Sequence, residues 1–334
     1  MGRSPKIANN VVLAFVSTTL VVLVMLFFIF LCRRRRMDSE EALPLKPCAS
    51  AYTLIEVDAA TDGFSHRRII GKGRLGTVYV GVMTNGDVIA VKRIKSWLVL
   101  SNPGFGFSSM LKTLSLAHNP HVVPIIGFSE APGERIILME FMGMKSLEFY
   151  LHENSGGGVP LLDWWRRFRI AAGVARGIEY LHEGMTPHLL HGCVKPSNIL
   201  FDLNLRPRVC DYGLSFLNPK ERGGLVGYVD DEYWEEGGEA CKESDVYGFG
   251  VVLLELLSGR RCEEGLLVKW ALPLMRAMRV VEVFDPRMVV PSDMKPLIRL
   301  AKVATACVGN SRNNRPTIVQ VAAILNSLEM ELST

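Results

Sequence analysis

Residues 11–32 (VVLAFVSTTLVVLVMLFFIFLC) are 22 consecutive positions without a charge, and no other feature constrains the chain as tightly. In hydrocarbon every backbone polar group must be satisfied within the segment, so a run of this kind spans as a helix. At about 1.5 Å per residue it covers roughly 33 Å, enough to cross a bilayer. A buried core helix and a cleaved leader are the competing readings. The run is too long for the apolar part of a usual leader and lacks a small-x-small cleavage site. Arginines occupy 33–36, outnumbering Arg3 and Lys6 on the other flank. The positive-inside bias therefore puts residues 1–10 outside the cell as a short tail and everything after residue 32 in the cytoplasm.

The formal net charge of +4 belongs to this membrane edge. Arg3, Lys6 and the four arginines precede the first acid, Asp38, and the rest of the chain holds 32 basic and 34 acidic residues. Phosphate-backbone binding needs clustered Lys and Arg on the globular part, so no nucleic-acid partner is expected. The seven cysteines form no C-x-x-C pair, as free thiols in a reducing compartment would not.

Residues 33–67 hold the basic stop-transfer cluster and then Ser39, Pro44 and Pro47 without sustained periodicity, which predicts a juxtamembrane linker. After it, Thr77-Val78-Tyr79-Val80 and Val88-Ile89-Ala90-Val91 flank Asn85-Gly86 and predict a hairpin. Helical patterns dominate later, at 170–181, 246–257 and 317–328. Strands first and helices afterwards imply an α+β unit of two lobes. The expected boundaries are 68–142 for the β-rich N-lobe and hinge, 143–328 for the helical C-lobe and 329–334 for a tail.

Gly71-Lys72-Gly73-Arg74-Leu75-Gly76-Thr77-Val78 fits G-x-G-x-x-G-x-V, in which missing Cβ atoms let a hairpin turn bring its amides close to phosphate oxygens. Alone it is weak, because a Gly-rich turn is often only a turn. Ile89-Ala90-Val91-Lys92 follows on the next strand, and Lys195, Asn198, Asp211-Tyr212-Gly213, Glu232, Asp245 and Arg315 come later in order. With Ala60-Thr61-Asp62-Gly63-Phe64-Ser65, Leu162-Asp163-Trp164 and Tyr180-Leu181-His182-Glu183, residues 52–328 resemble a plant receptor-like kinase of the Pelle type.

The resemblance implies a two-lobed protein-kinase fold preceded by one transmembrane helix. It also implies an ATP cleft built from Gly71, Gly73, Gly76, Val78, Ala90 and Lys92. Met139 stands at the gatekeeper, and Glu140, Phe141 and Met142 form the hinge that meets adenine. Asn198 and Asp211 match the magnesium-binding pair, and Lys195 the lysine that neutralises the transferred phosphoryl group. Glu232 and Arg315 match the family's buried structural ion pair.

Three departures accompany the match. The catalytic loop reads His191-Gly192-Cys193-Val194-Lys195-Pro196-Ser197-Asn198, with Gly192 for arginine and Cys193 for the catalytic aspartate. No carboxylate lies between Glu183 and Asp202, so no shift of alignment restores a base. Met110 stands where the following helix carries the glutamate that fixes the strand lysine, and 88–129 holds no Asp or Glu at all. That leaves Lys92 to meet phosphate or to pair with Asp211. Leu225 replaces the threonine of the substrate-docking turn, and Asp230-Asp231-Glu232 replaces A-P-E as a turn expected to be solvated.

The expectation is a pseudokinase, probed against the alternative of a low-activity Ser/Thr kinase. It would sit in the plasma membrane by one helix, bind ATP and Mg2+ weakly, and scaffold or regulate an active receptor-like kinase or another membrane signalling protein. Ten external residues would be too few for a ligand-binding ectodomain.

Overall fold

The computed structural model describes residues 49–101, 106–153, 162–217, 224–235, 237–263, 265–309 and 311–333. The run 11–32 lies outside them; among the described residues no helix is long and apolar enough to cross a membrane.

The small lobe is a six-stranded sheet in the order β1-β5-β6-β4-β3-β2. Its strands are β1 Ser50–Ala51, β2 Ile69–Lys72, β3 Gly76–Val82, β4 Val88–Ile94, β5 Ile125–Ala131 and β6 Glu134–Glu140. The expected hairpin is β3 against β4, with Val80 opposite Ala90 and Val78 opposite Lys92. Its turn is closed by Gly86 at φ 88° and by Asn85, whose side chain accepts from the Asp87 amide at 3.0 Å.

The lobe begins earlier than the expected boundary at residue 68. β1 pairs in parallel with β5, and helix α1 (Leu54–Ala60) follows it. Thr53 and Glu56 form a capping box at the start of α1, with Thr53 Oγ1 accepting from the Glu56 amide at 3.2 Å and Glu56 accepting from the Thr53 amide at 2.7 Å. Gly127 admits β1, since a Cβ there would stand 2.3 Å from the Tyr52 ring and 2.8 Å from the Ser50 carbonyl. The linker reading of this stretch therefore gives way to a strand and a capped helix.

Two short helices, α2 (Ser96–Ser101) and α3 (Phe107–Leu114), follow β4. On α3, Phe107, Leu111 and Leu114 are spaced along one face and buried.

The large lobe is helical: α4 Trp164–Glu183, α5 Asp231–Glu235, α6 Lys242–Ser258, α7 Leu266–Arg276, α8 Lys295–Cys307 and α9 Ile318–Ser333, with a two-stranded sheet of β7 (Ile199–Phe201) and β8 (Pro207–Val209). Asp163 caps α4 by accepting from the Arg166 amide at 2.8 Å. Helix α6 is the axis of the lobe, apolar nearly all round and buried from Val246 to Leu257 save for Tyr247. It starts on a capping box between Cys241 and Ser244 and stops at Gly259, whose φ of 64° makes the left-handed C-terminus. The C-terminal helix runs on to Ser333 past the expected end at 328. Glu329 accepts from Arg176 on α4 at 2.7 Å, so the residues expected as a tail are tied to the lobe.

Candidate functional site

Between the lobes lies a cavity of about 560 Å³. Gly71, Gly73, Val78, Ala90, Lys92, Met139, Glu140 and Met142 line it from the small lobe and hinge, and Cys193, Lys195, Asn198 and Asp211 from the large one. Two expected residues are not in its wall. Gly76 is a packing residue, because a Cβ there would stand 2.0 Å from the Arg93 carbonyl oxygen on β4. Met110 on α3 is half-buried against the main core. Gly71 and Gly73 have room for a Cβ, with nearest neighbours at 4.0 and 3.9 Å. Sequence reasoning missed Lys72, Arg74, Leu75 and Cys210, which also line the cavity. They occupy variable positions in or beside the motifs, so only their motif neighbours could have pointed to them.

The large-lobe side is hung from Asp245 on α6. Its carboxylate accepts from the amides of His191 and Gly192, both at 2.7 Å, and from His182 Nε2 at 2.8 Å. Burial pushes this carboxyl up, but the His182 hydrogen bond and charge outweigh it and hold it below the ordinary range. Asn198 Nδ2 donates to the Cys193 carbonyl at 2.9 Å, and the Asn198 main-chain carbonyl accepts from the Cys210 amide at 2.9 Å. The loop is thus held by hydrogen bonds to Asp245 on one side and through Asn198 on the other.

Gly192 sits at φ 77°, in the region glycine enters without strain, with Ser215 and Ala240 against the place of its missing Cβ. Cys193 is 7% exposed and packs with Leu225, Val229 and Tyr233. Burial pushes its thiol up, so the thiolate that a proton-accepting cysteine needs is disfavoured. Leu225 at the docking turn and Cys193 at the base position belong to one apolar cluster, which fills the place where the resemblance puts an aspartate and a threonine.

Lys92, 4% exposed, gives its ammonium to the Asp211 carboxylate. Burial pushes the Asp211 carboxyl up, and the charge of Lys92 and its hydrogen bond more than reverse this. With Met110 in place of an acid, Asp211 is the lysine's counter-ion. Lys195 Nζ donates to the Gly224 carbonyl at 3.1 Å.

Tyr212 follows Asp211 and is buried, with its hydroxyl 3.1 Å from the Val123 carbonyl and 3.5 Å from the carbonyl of Leu114 at the end of α3. Tyr212→Phe is expected to lower stability by about 1 kcal/mol in urea titration, the net worth of one buried neutral hydrogen bond.

The expected Glu232–Arg315 ion pair is replaced by another. Arg315 gives its guanidinium to Asp230, which is 4% exposed and also accepts from Arg312 Nη2 at 3.1 Å. Glu232 accepts the Arg312 amide at 3.2 Å and lies 3.6 Å from that residue's Nε, a third exposed. The shorter Asp230 side chain, just before α5, also caps that helix through the Tyr233 amide at 2.7 Å. That geometry points it inward at Arg315, so the turn expected to be solvated holds a buried ion cluster.

Residues 64–325 match the family of protein tyrosine and serine/threonine kinases. Over 295 residues the chain is 37% identical to the proline-rich receptor-like protein kinase PERK13 of Arabidopsis thaliana, an overlap of 83% of this chain and 41% of that protein. It is 34% identical over 301 residues to the receptor-like protein kinase BRI1-like 3 of the same plant, across 85% of this chain and 25% of the relative. The match thus spans well under half of these relatives' length. Among solved structures, the pseudokinase domain of BIR2, an immune regulator of the RLK/Pelle family, superposes with a TM-score of 0.71 at 30% identity, covering 90% of this chain and 94% of that one. The chain belongs to the protein tyrosine and serine/threonine kinase family, among the plant receptor-like kinases.

Proposed function

We propose that this chain is a pseudokinase, held at a membrane by residues 11–32, that acts by binding and not by phosphoryl transfer. The observation that carries the reading is the apolar closure of the proton-acceptor site, where buried Cys193 packs on Leu225, Val229 and Tyr233. A positioned base contributes roughly 10²–10⁴ in rate, and no carboxylate between Glu183 and Asp202 can take the role. The exchange of a helix glutamate for Met110 and the engagement of Lys92 with Asp211 support the same reading from the other lobe.

The cleft is a binding site for ATP, weakly held. Its volume, the room beside Gly71 and Gly73, and the apolar Val78, Ala90 and Met139 suit an adenine nucleotide. Asn198 and Asp211 supply oxygen donors of the kind magnesium takes and are the residues that would hold the ion beside the phosphates. The partner is an active receptor-like kinase or another membrane signalling protein, which this module scaffolds or regulates. Survival of Lys195, Asn198 and Asp211 in one cavity favours a second reading, a low-activity Ser/Thr kinase, since positioning alone accelerates transfer.

The test is transfer of labelled γ-phosphate by the full chain to itself and to a generic protein substrate, beside Lys92→Met. Equal background from both is expected. Transfer by the unaltered chain above that of the variant would establish the enzyme instead.

A further inference from the structure

We infer that the cleft takes the polyphosphate of a nucleotide directly on its own cations, with magnesium adding little to the affinity. This rests on the nucleotide reading above and concerns what the phosphate end of the cavity demands of its ligand.

Two positions that would bring carboxylates to this end carry Met110 and Cys193. Among the described residues lining it, Lys92, Lys195, Lys72 and Arg74 are basic and Asp211 alone is acidic. The cavity's other acids belong to the hinge side and face arginines of the large lobe. Glu140 is 3.2 Å from Arg208, and Glu148 and Glu153 are 3.1 and 3.9 Å from Arg261.

Lys92, Lys195 and Asp211 alone leave the phosphate end with a net positive charge. A Cβ on Gly224 would lie 3.4 Å from Lys195 Nζ and 4.0 Å from the Cβ and Cδ of Arg74, so the aliphatic stem of Arg74 reaches from the small lobe to the same edge of the cavity. Oriented ammonium groups bind phosphate oxygens through short charge-assisted bonds, and among the described residues at this end no surplus of carboxylates stands in the way.

Magnesium gains less. It loses its waters reluctantly and is ordinarily held by one or two carboxylates besides the phosphates. This site offers a single carboxylate that already holds Lys92, and beside it only the neutral amide oxygen of Asn198. An ion entering here must share Asp211 with an ammonium in a buried place, where like charges repel strongly. The nucleotide, in contrast, draws Lys92 and Lys195 toward itself without any carboxylate having to approach it.

Calorimetric titration of the full chain with ATP at matched ionic strength, in EDTA and in excess magnesium chloride, tests this. The two dissociation constants are expected to agree within about threefold, and tightening by magnesium beyond that overturns the inference while leaving the nucleotide reading intact. Binding in neither condition overturns both. Asp211→Asn provides an inverted check: it frees Lys92 and removes the cleft's repelling charge, so ATP in EDTA should bind about threefold tighter or more. Weaker binding by this variant, in a chain whose melting transition shows it folded, would also overturn the inference. Lys195→Ala should weaken binding in EDTA by about threefold or more; unchanged affinity would count against it.

Discussion

Arg315→Ala is expected to destabilise the folded chain by about 3 kcal/mol, because it strips one of two arginine partners from a carboxylate that stays buried and leaves Arg312 to hold it alone. Glu232→Ala should cost no more than about 1 kcal/mol, as befits a partly exposed acid at the edge of the cluster. Urea denaturation of both variants would check this, and a larger loss from Glu232 than from Arg315 would overturn the assignment of Asp230 as the inner acid. The pair has a pH signature as well. Burial raises the Asp230 carboxyl, but hydrogen bonds from Arg312 and Arg315 outweigh it and leave the group below its ordinary value. A lowered carboxyl contributes stability that is complete above the unfolded value, near pH 4, and that disappears as pH falls through the folded one. The gap between the unaltered chain and Arg315→Ala should therefore close on acidification below about pH 4.

Cys193→Asp, the substitution that restores the missing base, is expected to give no phosphoryl transfer above background and to cost about 3 kcal/mol of stability. The new carboxylate would enter a cluster of Leu225, Val229 and Tyr233 that offers it no hydroxyl apart from the tyrosine's own. Lys195 is near enough for its charge to be felt at residue 193, but its ammonium is bound to the Gly224 carbonyl. Adding Leu225→Thr should recover part of the loss, with a coupling of about 1 kcal/mol or more in a double-mutant cycle. Transfer by the single variant above the Lys92→Met background would mean that the base alone was missing and that the rest of the site is competent.

The main chain of the large lobe was legible because its signals are local. The apolar run of α6 and the spacing from Lys195 through Asp211 sit within one element or one loop each. Met110 could be read as a packing residue without a structure, since 88–129 holds no acid under any alignment. The pairing of Lys92 with Asp211 was one of two options, and only the fold chooses between them. What escaped depends on which of several similar groups turns inward. Asp230 and Glu232 are two residues apart, and their order of burial follows from how α5 begins, which spacing does not report. The strand and helix at 50–60 were passed over because two prolines colour the stretch before them, although Thr53 and Glu56 already spell a capping box. The role of Gly76 is a third case: its phosphate-loop position hides a close approach to the Arg93 carbonyl, and distance across a hairpin is not written in a motif.

The hydroxyl of Tyr212, which reaches both Val123 and the end of α3, has a consequence for how this domain responds to its surroundings. An ionic strut between β4 and α3 would loosen with salt and release at the pH where its carboxylate protonates. A phenol in the core does neither, because it is neutral and burial drives its ionisation above the range any cell reaches. The helix is thus pinned by a fastening deaf to ionic strength and acidity.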